Sequence, residues 1–345
     1  MKKFGWILLA GLAFSGGLQA QKIEEVLQSV EQHNKELQAS AHSMEAAKME
    51  VQTRNNLEDP SVEYSPFYAS NLDGMASSEL VVTQGFDFPT LYAARNRSGK
   101  SQKNVLDRQQ QVLRRDILLQ AKNLCLDLIR LNQEQQLLAE RMKNADALLE
   151  LFEKRLKEGD ANALEVNKIK MERMKVQTEV AQNNAAHRTA LQQLLAMNGN
   201  MPLEFAETDY PKVEAIQDYQ TLYNEVMQSD ADLQVAEATV QAASEEVKVN
   251  KQNWLPKLEV GYRRNTSVGE KSNGFLVGGS FPLFSNRKKL KIAKAQALSA
   301  NLQRDNARLQ VEAKVQSQFN EMQQLREAMQ AYDVLLTVSY THLTL

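Results

Sequence analysis

The chain is poor in the features that most often mark a catalyst or a compact secreted domain. Of its 345 residues only Cys125 is a cysteine, so no disulfide can form within it. Set between Leu124 and Leu126, that thiol reads as a small core residue. Aromatics make up 6% of the chain and charged residues 24%, with long stretches rich in Ala, Leu, Gln, Glu and Lys; this balance favours long helices and coiled coils over a single large core. Beyond residue 20 no run approaches the roughly 18 apolar residues of a membrane-spanning helix. Any passage through a bilayer must then be made by strands. Basic blocks are also absent. The 41 Lys and Arg fall to 39 once Lys2 and Lys3 are set aside, against 43 Asp and Glu, a balance that gives nucleic-acid binding no support. There is no nucleophile elbow, phosphate loop or dinucleotide fingerprint, and His33, His42, His187 and His342 share no ligand spacing. No catalytic residue, cofactor or metal site is assigned, and the chain does not read as an enzyme.

What is present begins at the amino terminus. Lys2 and Lys3, an apolar run from Phe4 to Leu18 and the small-residue stop at Ala20 form a cleavable secretory signal over residues 1–20. After it, the helix breakers cluster. Pro60, Pro66 and Pro89 form one window, Pro202 and Pro211 a second, Pro256 and Pro282 a third, and most glycines lie in or beside the first and last. The intervals predict helices over Lys22 to Leu57, Tyr92 to Glu158, Ala161 to Asn198, Ile216 to Trp254 and Arg287 to about Leu336. In the second, Ile117, Ala121, Leu124, Leu128, Leu131, Gln135, Leu138, Met142, Ala145, Leu149, Phe152 and Leu156 follow at steps of four and three, a heptad seam. At 1.5 Å per residue such a helix would be about 100 Å long.

The first and last windows predict strand pairs. Val62 to Ser65 and Leu80 to Phe88 flank a polar loop containing Asn71, Asp73 and Gly74. In the last window Leu258, Val260 and Tyr262 alternate with Glu259, Gly261 and Arg263, and Phe275, Val277, Gly279, Phe281 and Leu283 alternate with Leu276, Gly278, Ser280 and Pro282. In a barrel wall, Val260, Tyr262, Phe275, Val277 and Phe281 would face lipid, and Glu259, Gly261 and Arg263 would face the lumen. A lipid-facing charge such as Val277→Lys is then expected to cost far more than a lumen change such as Gly261→Ser. The other reading is a soluble hairpin packed on its own helices.

The two windows repeat each other. Pro60-Ser61-Val62-Glu63 returns as Pro256-Lys257-Leu258-Glu259, 196 positions later, and Phe88-Pro89 returns as Phe281-Pro282, 193 later. The chain therefore divides into a first unit over residues 21–200, with its strand pair at about 61–89, and an incomplete second over 201–345, with its pair at about 257–284. The fold class is α+β, built from duplicated helix-strand-strand-helix units. Four strands cannot close a barrel, since about eight is the smallest that packs, and an open edge cannot lie in lipid. Closure requires further copies of the chain.

These features together resemble the TolC-like outer-membrane efflux proteins over residues 21 to about 336. The segments Asn56 to Glu63 and Gln84 to Pro89 look most like the heavy-metal-type branch. The resemblance implies a homotrimer whose protomers each give four strands to a transmembrane barrel and whose helices form a tunnel across the periplasm. It implies a passive exit duct in the outer membrane of a Gram-negative cell, in contact with outer membrane lipid and partnered by a periplasmic adaptor protein and an inner-membrane pump. Arg155-Leu156-Lys157-Glu158-Gly159, followed by Leu164-Glu165-Val166, resembles the family's adaptor-docking tip, with Gly159 shaping the reversal and Arg155, Leu164, Glu165 and Val166 around it. A second such tip is absent, and Val338 to Leu345 reads as a truncated or altered terminus. A periplasmic coiled-coil adaptor or scaffold is the competing assignment; it would have no reason to duplicate the two proline junctions.

Overall fold

The computed structural model of the protein describes residues 22–68, 70, 74–212, 218–267 and 269–343, with side chains described as far as 335. The expected signal segment and loop residues 71–73 lie outside this set. The elements run α1 (Ile23–His33), α2 (Lys35–Thr53), β1 (Ser61–Tyr68), β2 (Met75–Phe86), α3 (Pro89–Glu158), α4 (Ala163–Met197), α5 (Tyr219–Ser229), α6 (Ala231–Gln252), β3 (Lys257–Ser267), β4 (Glu270–Ser280) and α7 (Lys289–Leu343). None of the described helices is both long and apolar enough to cross a membrane.

Two helices expected to be continuous are each broken in two. Asn34 separates α1 from α2, and Asp230 separates α5 from α6. Both residues leave the helical region at ψ near +120°, and the side chain of each accepts the next helix's amide, from Leu37 and Leu233 respectively, at 2.9 Å. A short acceptor side chain ends one helix and caps the next without glycine or proline. The breaks are themselves 196 positions apart, as are the starts of β1 and β3. At the other end of the chain α7 continues to Leu343, past the expected stop near Leu336. The β-branched residues there cost only a few tenths of a kcal/mol each, too little to stop a helix already propagating.

The chain forms two compact units, Met1–Ala39 with Arg114–Val213, and Ser40–Leu113 with Glu214–Leu345. In the first, α4 runs back along the distal part of α3. The heptad seam is buried at Ile117, Ala121, Leu128, Leu131 and Leu138, then thins until Leu156 is exposed. Arg141 pairs with Glu179 at 2.6 Å and Lys170 with Glu153 at 3.0 Å across the two helices. Buried Asn183 donates from Nδ2 to Leu131 O at 3.1 Å, which fixes the register of the pair. Cys125 is fully buried, and burial pushes its thiol up to about 12. α1 closes this unit: Ser29 donates to Asn198 at 2.8 Å, and Asn34 donates to Met197 O at 2.8 Å. Gly199 takes φ +65°, and a Cβ there would come within 2.6 Å of His33 O, so the contact requires glycine.

The second unit holds the sheet, antiparallel in the order β1-β2-β3-β4. Its helices stand in the order of the strands they serve. α2 meets α3 through the Lys48–Asp107 ion pair, and Arg54, just past the end of α2, donates to Gln102 at 3.4 Å. α3 meets α6 through Ser98 and Glu246 at 3.0 Å, Arg108 and Gln234 at 2.7 Å, and a core of Leu91, Ala94 and Val249. α7 then packs along α6 and α5, where Tyr219 and Phe319 make an edge-to-face contact at 5.4 Å. At the junction of sheet and helices, Asp87 accepts from Arg95 at 2.6 Å and pairs with Lys257 at 3.9 Å; Lys257 also pairs with Glu58.

Candidate functional site

Directly paired residues of an antiparallel sheet share a face, so the register sorts the sheet. Val62 pairs with Val82, Val82 with Tyr262, and Tyr262 with Phe275; beside them run Tyr64 with Leu80, and Gln84 with Val260 and Val277. The row Val62, Val82, Tyr262 and Phe275 is apolar across all four strands, with Arg264 and Asn273 beyond it next to Leu80, and Tyr262 and Phe275 meet edge to face with ring centres 6.4 Å apart. The face is also open, with Phe275 93% and Val277 84% exposed. A continuous bare apolar face of this kind belongs against lipid or another protein.

The opposite face carries Ser61, Glu63, Glu79, Thr83, Glu259, Gly261 and Arg263, interrupted by Val81 and Leu276. Arg263 pairs with Glu79 at 2.9 Å, and Ser61 with Thr83 at 2.6 Å. Four of the residues expected to face lipid, Val260, Tyr262, Phe275 and Val277, thus lie together on one face. Glu259, Gly261 and Arg263 lie together on the other. The reading from sequence had not assigned Val62, Tyr64, Leu80 and Val82 of the first strand pair to this apolar face; their alternation with Ser61, Glu63, Val81 and Thr83 carried the signal in weaker form.

One expectation is corrected. Phe281 lies beyond β4, which ends at Ser280. Pro282 has no amide hydrogen to continue the ladder, and Leu283 N donates to Phe281 O at 2.8 Å, turning the chain. At Gly261 the structure adds a packing cost that alternation alone did not show. A Cβ at Gly261 would sit 2.6 Å from Val82 O and 2.8 Å from a Thr83 methyl, so the two strands approach too closely there for any side chain.

The predicted tip is a built reversal. Gly159 takes φ +85°, its amide donates to Leu156 O at 3.3 Å, and Asp160 N donates to Arg155 O at 2.8 Å. This pair of bonds around a left-handed glycine is the Schellman ending of a helix. α4 begins at once with a capping box, in which Asn162 accepts from Glu165 N and its own amide donates to the Glu165 carboxylate, both at 2.9 Å. Of the five tip residues, Gly159 makes the turn, Glu165 caps α4, and Val166 is buried at 3% exposure. Arg155 stacks over the Phe152 ring at 5.3 Å and donates to Asp160 O at 3.4 Å. Leu164, at 64% exposure, is the apolar residue left bare beside them.

Comparison with known proteins agrees with this architecture. Residues 222–343 match the family model described as outer membrane efflux protein. No curated protein sequence matches the chain. Among solved structures, the outer membrane protein VceC of Vibrio cholerae is similar with a TM-score of 0.64 at 16% identity, over 84% of this chain and 75% of that one. The CmeC outer membrane channel of Campylobacter jejuni gives a TM-score of 0.65 at 13% identity, over 84% and 68%. CusC, whose crystal structures concern folding and transmembrane channel formation, gives 0.64 at 17% identity, over 86% and 73%. At these identities the likeness establishes the fold.

Proposed function

We propose that the protein is the outer-membrane exit duct of an efflux system: residues 222–343 match the outer membrane efflux protein model, and 84% and 86% of the chain share the fold of VceC and CusC. The observation that carries this reading is the sheet. It has one bare apolar face and one polar face, and among the described residues the outer edges of β1 and β4 have no strand partner. An edge presents unpaired amides and carbonyls that lipid cannot satisfy, so a membrane sheet must close. Four strands close with those of further copies, and three copies give twelve strands, in line with the resemblance. The apolar face, with Val260, Tyr262, Phe275 and Val277, then meets lipid, while Glu259, Gly261 and Arg263 line a wet lumen. Such a duct conducts passively and needs no catalytic group. A partner pump supplies the drive, and the α3–α4 reversal is the surface offered to a periplasmic adaptor.

The test is extraction and conductance. Protein expressed from its own gene should require detergent for release from the membrane, have a mass in detergent of about three chains, and conduct ions in a planar bilayer. Recovery as a soluble periplasmic monomer would overturn the reading and favour a coiled-coil scaffold.

A further inference from the structure

Three helices of the second unit leave room between them. α2, α3 and α6 border a groove of about 440 Å³, walled by the half-buried side chains of Ala47, Val51, Val105, Leu106, Ala242 and Ala243. A smaller cavity of about 190 Å³ adjoins it, and Val51, Arg54, Gln102 and Glu246 line both. The groove has the volume of a small-molecule site, roughly 300 to 1,000 Å³, in which apolar walls carry a few polar groups that fix orientation. All the residues around the two spaces belong to one compact unit.

The polar groups here are not in charge balance. Glu246 stands where groove and cavity meet, and its carboxylate accepts from the buried Ser98 hydroxyl and from Asn250, both at 3.0 Å. Both donors are neutral, and among the described residues no Lys or Arg pairs with this carboxylate. The adjacent Glu245, by contrast, has Lys248 at 2.6 Å and Arg97 at 4.0 Å. The two arginines that border the cavity are each held by another carboxylate. Arg95 pairs with Asp87 at 2.6 Å, and Arg54 lies 3.8 Å from Glu50 while it donates to Gln102 at 3.4 Å. Asn55 lines the same cavity, and its buried Oδ1 has no hydrogen-bond partner among the described residues. A carboxylate drawn out of water without a cation, and a buried carbonyl oxygen without a donor, both cost free energy that an added cationic donor recovers.

We propose that this groove binds a small organic cation, a primary ammonium on a compact apolar body. The body lies along Val51, Val105 and Ala243, and the ammonium donates to Glu246, with Asn55 Oδ1 as a further acceptor in the adjoining cavity. Charge and shape select this class together. An anion would meet the Glu246 carboxylate, a bare metal cation would leave the apolar walls uncovered, and a neutral amphiphile would leave the carboxylate without a cation. An ammonium also brings three N–H donors to a place where acceptors are in excess. The site is made by helix packing alone, so it holds whether or not the sheet closes into a barrel.

Titration of the purified protein in nonionic detergent with para-fluorophenethylammonium at neutral pH, followed by fluorine NMR, tests this. Binding should saturate at one probe per chain. Glu246→Gln keeps an oxygen for Ser98 and Asn250 but removes the charge, and should weaken binding by about tenfold or more, as loss of a charged hydrogen bond does. The corresponding alcohol and para-fluorophenylpropionate should bind the parent more weakly than the ammonium by a similar factor. Ala243→Trp, which fills the groove, should abolish binding. Circular dichroism checks that each variant keeps the parent's helices, and if Ala243→Trp fails that check, Glu246→Gln and the three probes decide alone. Equal affinity of Glu246→Gln and the parent for the ammonium overturns the proposal, as does equal binding of the alcohol. Tighter binding of the propionate would give the site to Arg54 and overturn it too. Signal that never saturates, in parent and variants alike, would mean partition into the micelle and no site.

Discussion

The carbonyl oxygen of Val82 lies 2.6 Å from the point that a Cβ on Gly261 would occupy. Neighbouring strands are therefore pressed together at the one position in β3 where no side chain stands between them. Serine or alanine at 261 must push β2 and β3 apart, an overpacking strain of about 1 to 3 kcal/mol. Gly274 lies on the same polar face, paired with Arg263, and a Cβ there meets nothing within 4 Å. Gly261→Ser should thus lower the fraction of heat-resistant oligomer on unheated gels, while Gly274→Ser should leave it unchanged. Equal behaviour of the two would remove the strand approach as the cause.

The sheet faces give a second expectation. Val277 and Gly274 stand on opposite faces of β4, and a lysine on a lipid-facing strand position near mid-bilayer costs roughly 2 to 4 kcal/mol, against much less on a lumen position. Val277→Lys should therefore reduce refolding into lipid vesicles far more than Gly274→Lys. If Gly274→Lys is the more damaging, the faces are reversed.

How much of this was legible follows from what kind of signal each feature leaves. The proline junctions before Ser61 and Lys257 placed both strand pairs, because proline acts through its own covalent geometry wherever it falls. The α1–α2 and α5–α6 breaks were missed for the opposite reason. Asn34 and Asp230 end a helix only through a hydrogen bond from their side chains to an amide three residues on, and the same residue types sit harmlessly inside other helices. The recurrence of Asn34-Lys35-Glu36-Leu37 as Asp230-Ala231-Asp232-Leu233, at the same spacing of 196, was the available clue. The strand faces were readable from alternation. The cost of a side chain at Gly261 was not, since it depends on how close the Val82 carbonyl comes, which no pattern within β3 encodes. At the tip, Gly159 and the turn were visible, but Glu165 reads as a surface carboxylate until its partner Asn162 is in place.

Acid should loosen the first compact unit through one identifiable pair. Arg114 donates twice to the Glu31 carboxylate, at 2.6 and 2.7 Å, and these bonds hold Glu31 below the usual carboxylate range. A depressed carboxylate contributes stability that is complete above its unfolded value, about 4.3, and is lost as pH falls through the lower folded value. Both side chains are partly exposed, so the effect should stay under about 1 kcal/mol. Glu31→Gln should remove this share of the acid dependence of the unfolding midpoint below about pH 4.5 while leaving the neutral-to-basic limb unchanged. An unaltered acid slope in the variant would show that the pair does not contribute.

At the α3–α4 reversal, turn, cap and contact can be separated by substitution. A Cβ at Gly159 meets nothing within 4 Å, so a replacement there carries only the conformational cost of φ +85°, about 1 kcal/mol, larger for a β-branched side chain. Asn162→Ala removes one half of the capping box and should cost about 1 kcal/mol at the start of α4. Neither change touches the sheet, which belongs to the other compact unit, so assembled oligomer should persist in both. Leu164 has no structural duty to lose: Leu164→Ser should leave the unfolding midpoint within about 0.5 kcal/mol of the parent, yet lower export and site-directed cross-linking to the cognate adaptor. Glu165→Gln is the informative companion. The amide oxygen can still accept from the Asn162 amide, so if Glu165 serves only α4, docking should survive the change. Loss of docking in Glu165→Gln with stability intact would make its charge part of the contact, and unimpaired docking in Leu164→Ser would mean that the exposed leucine is not where the adaptor binds.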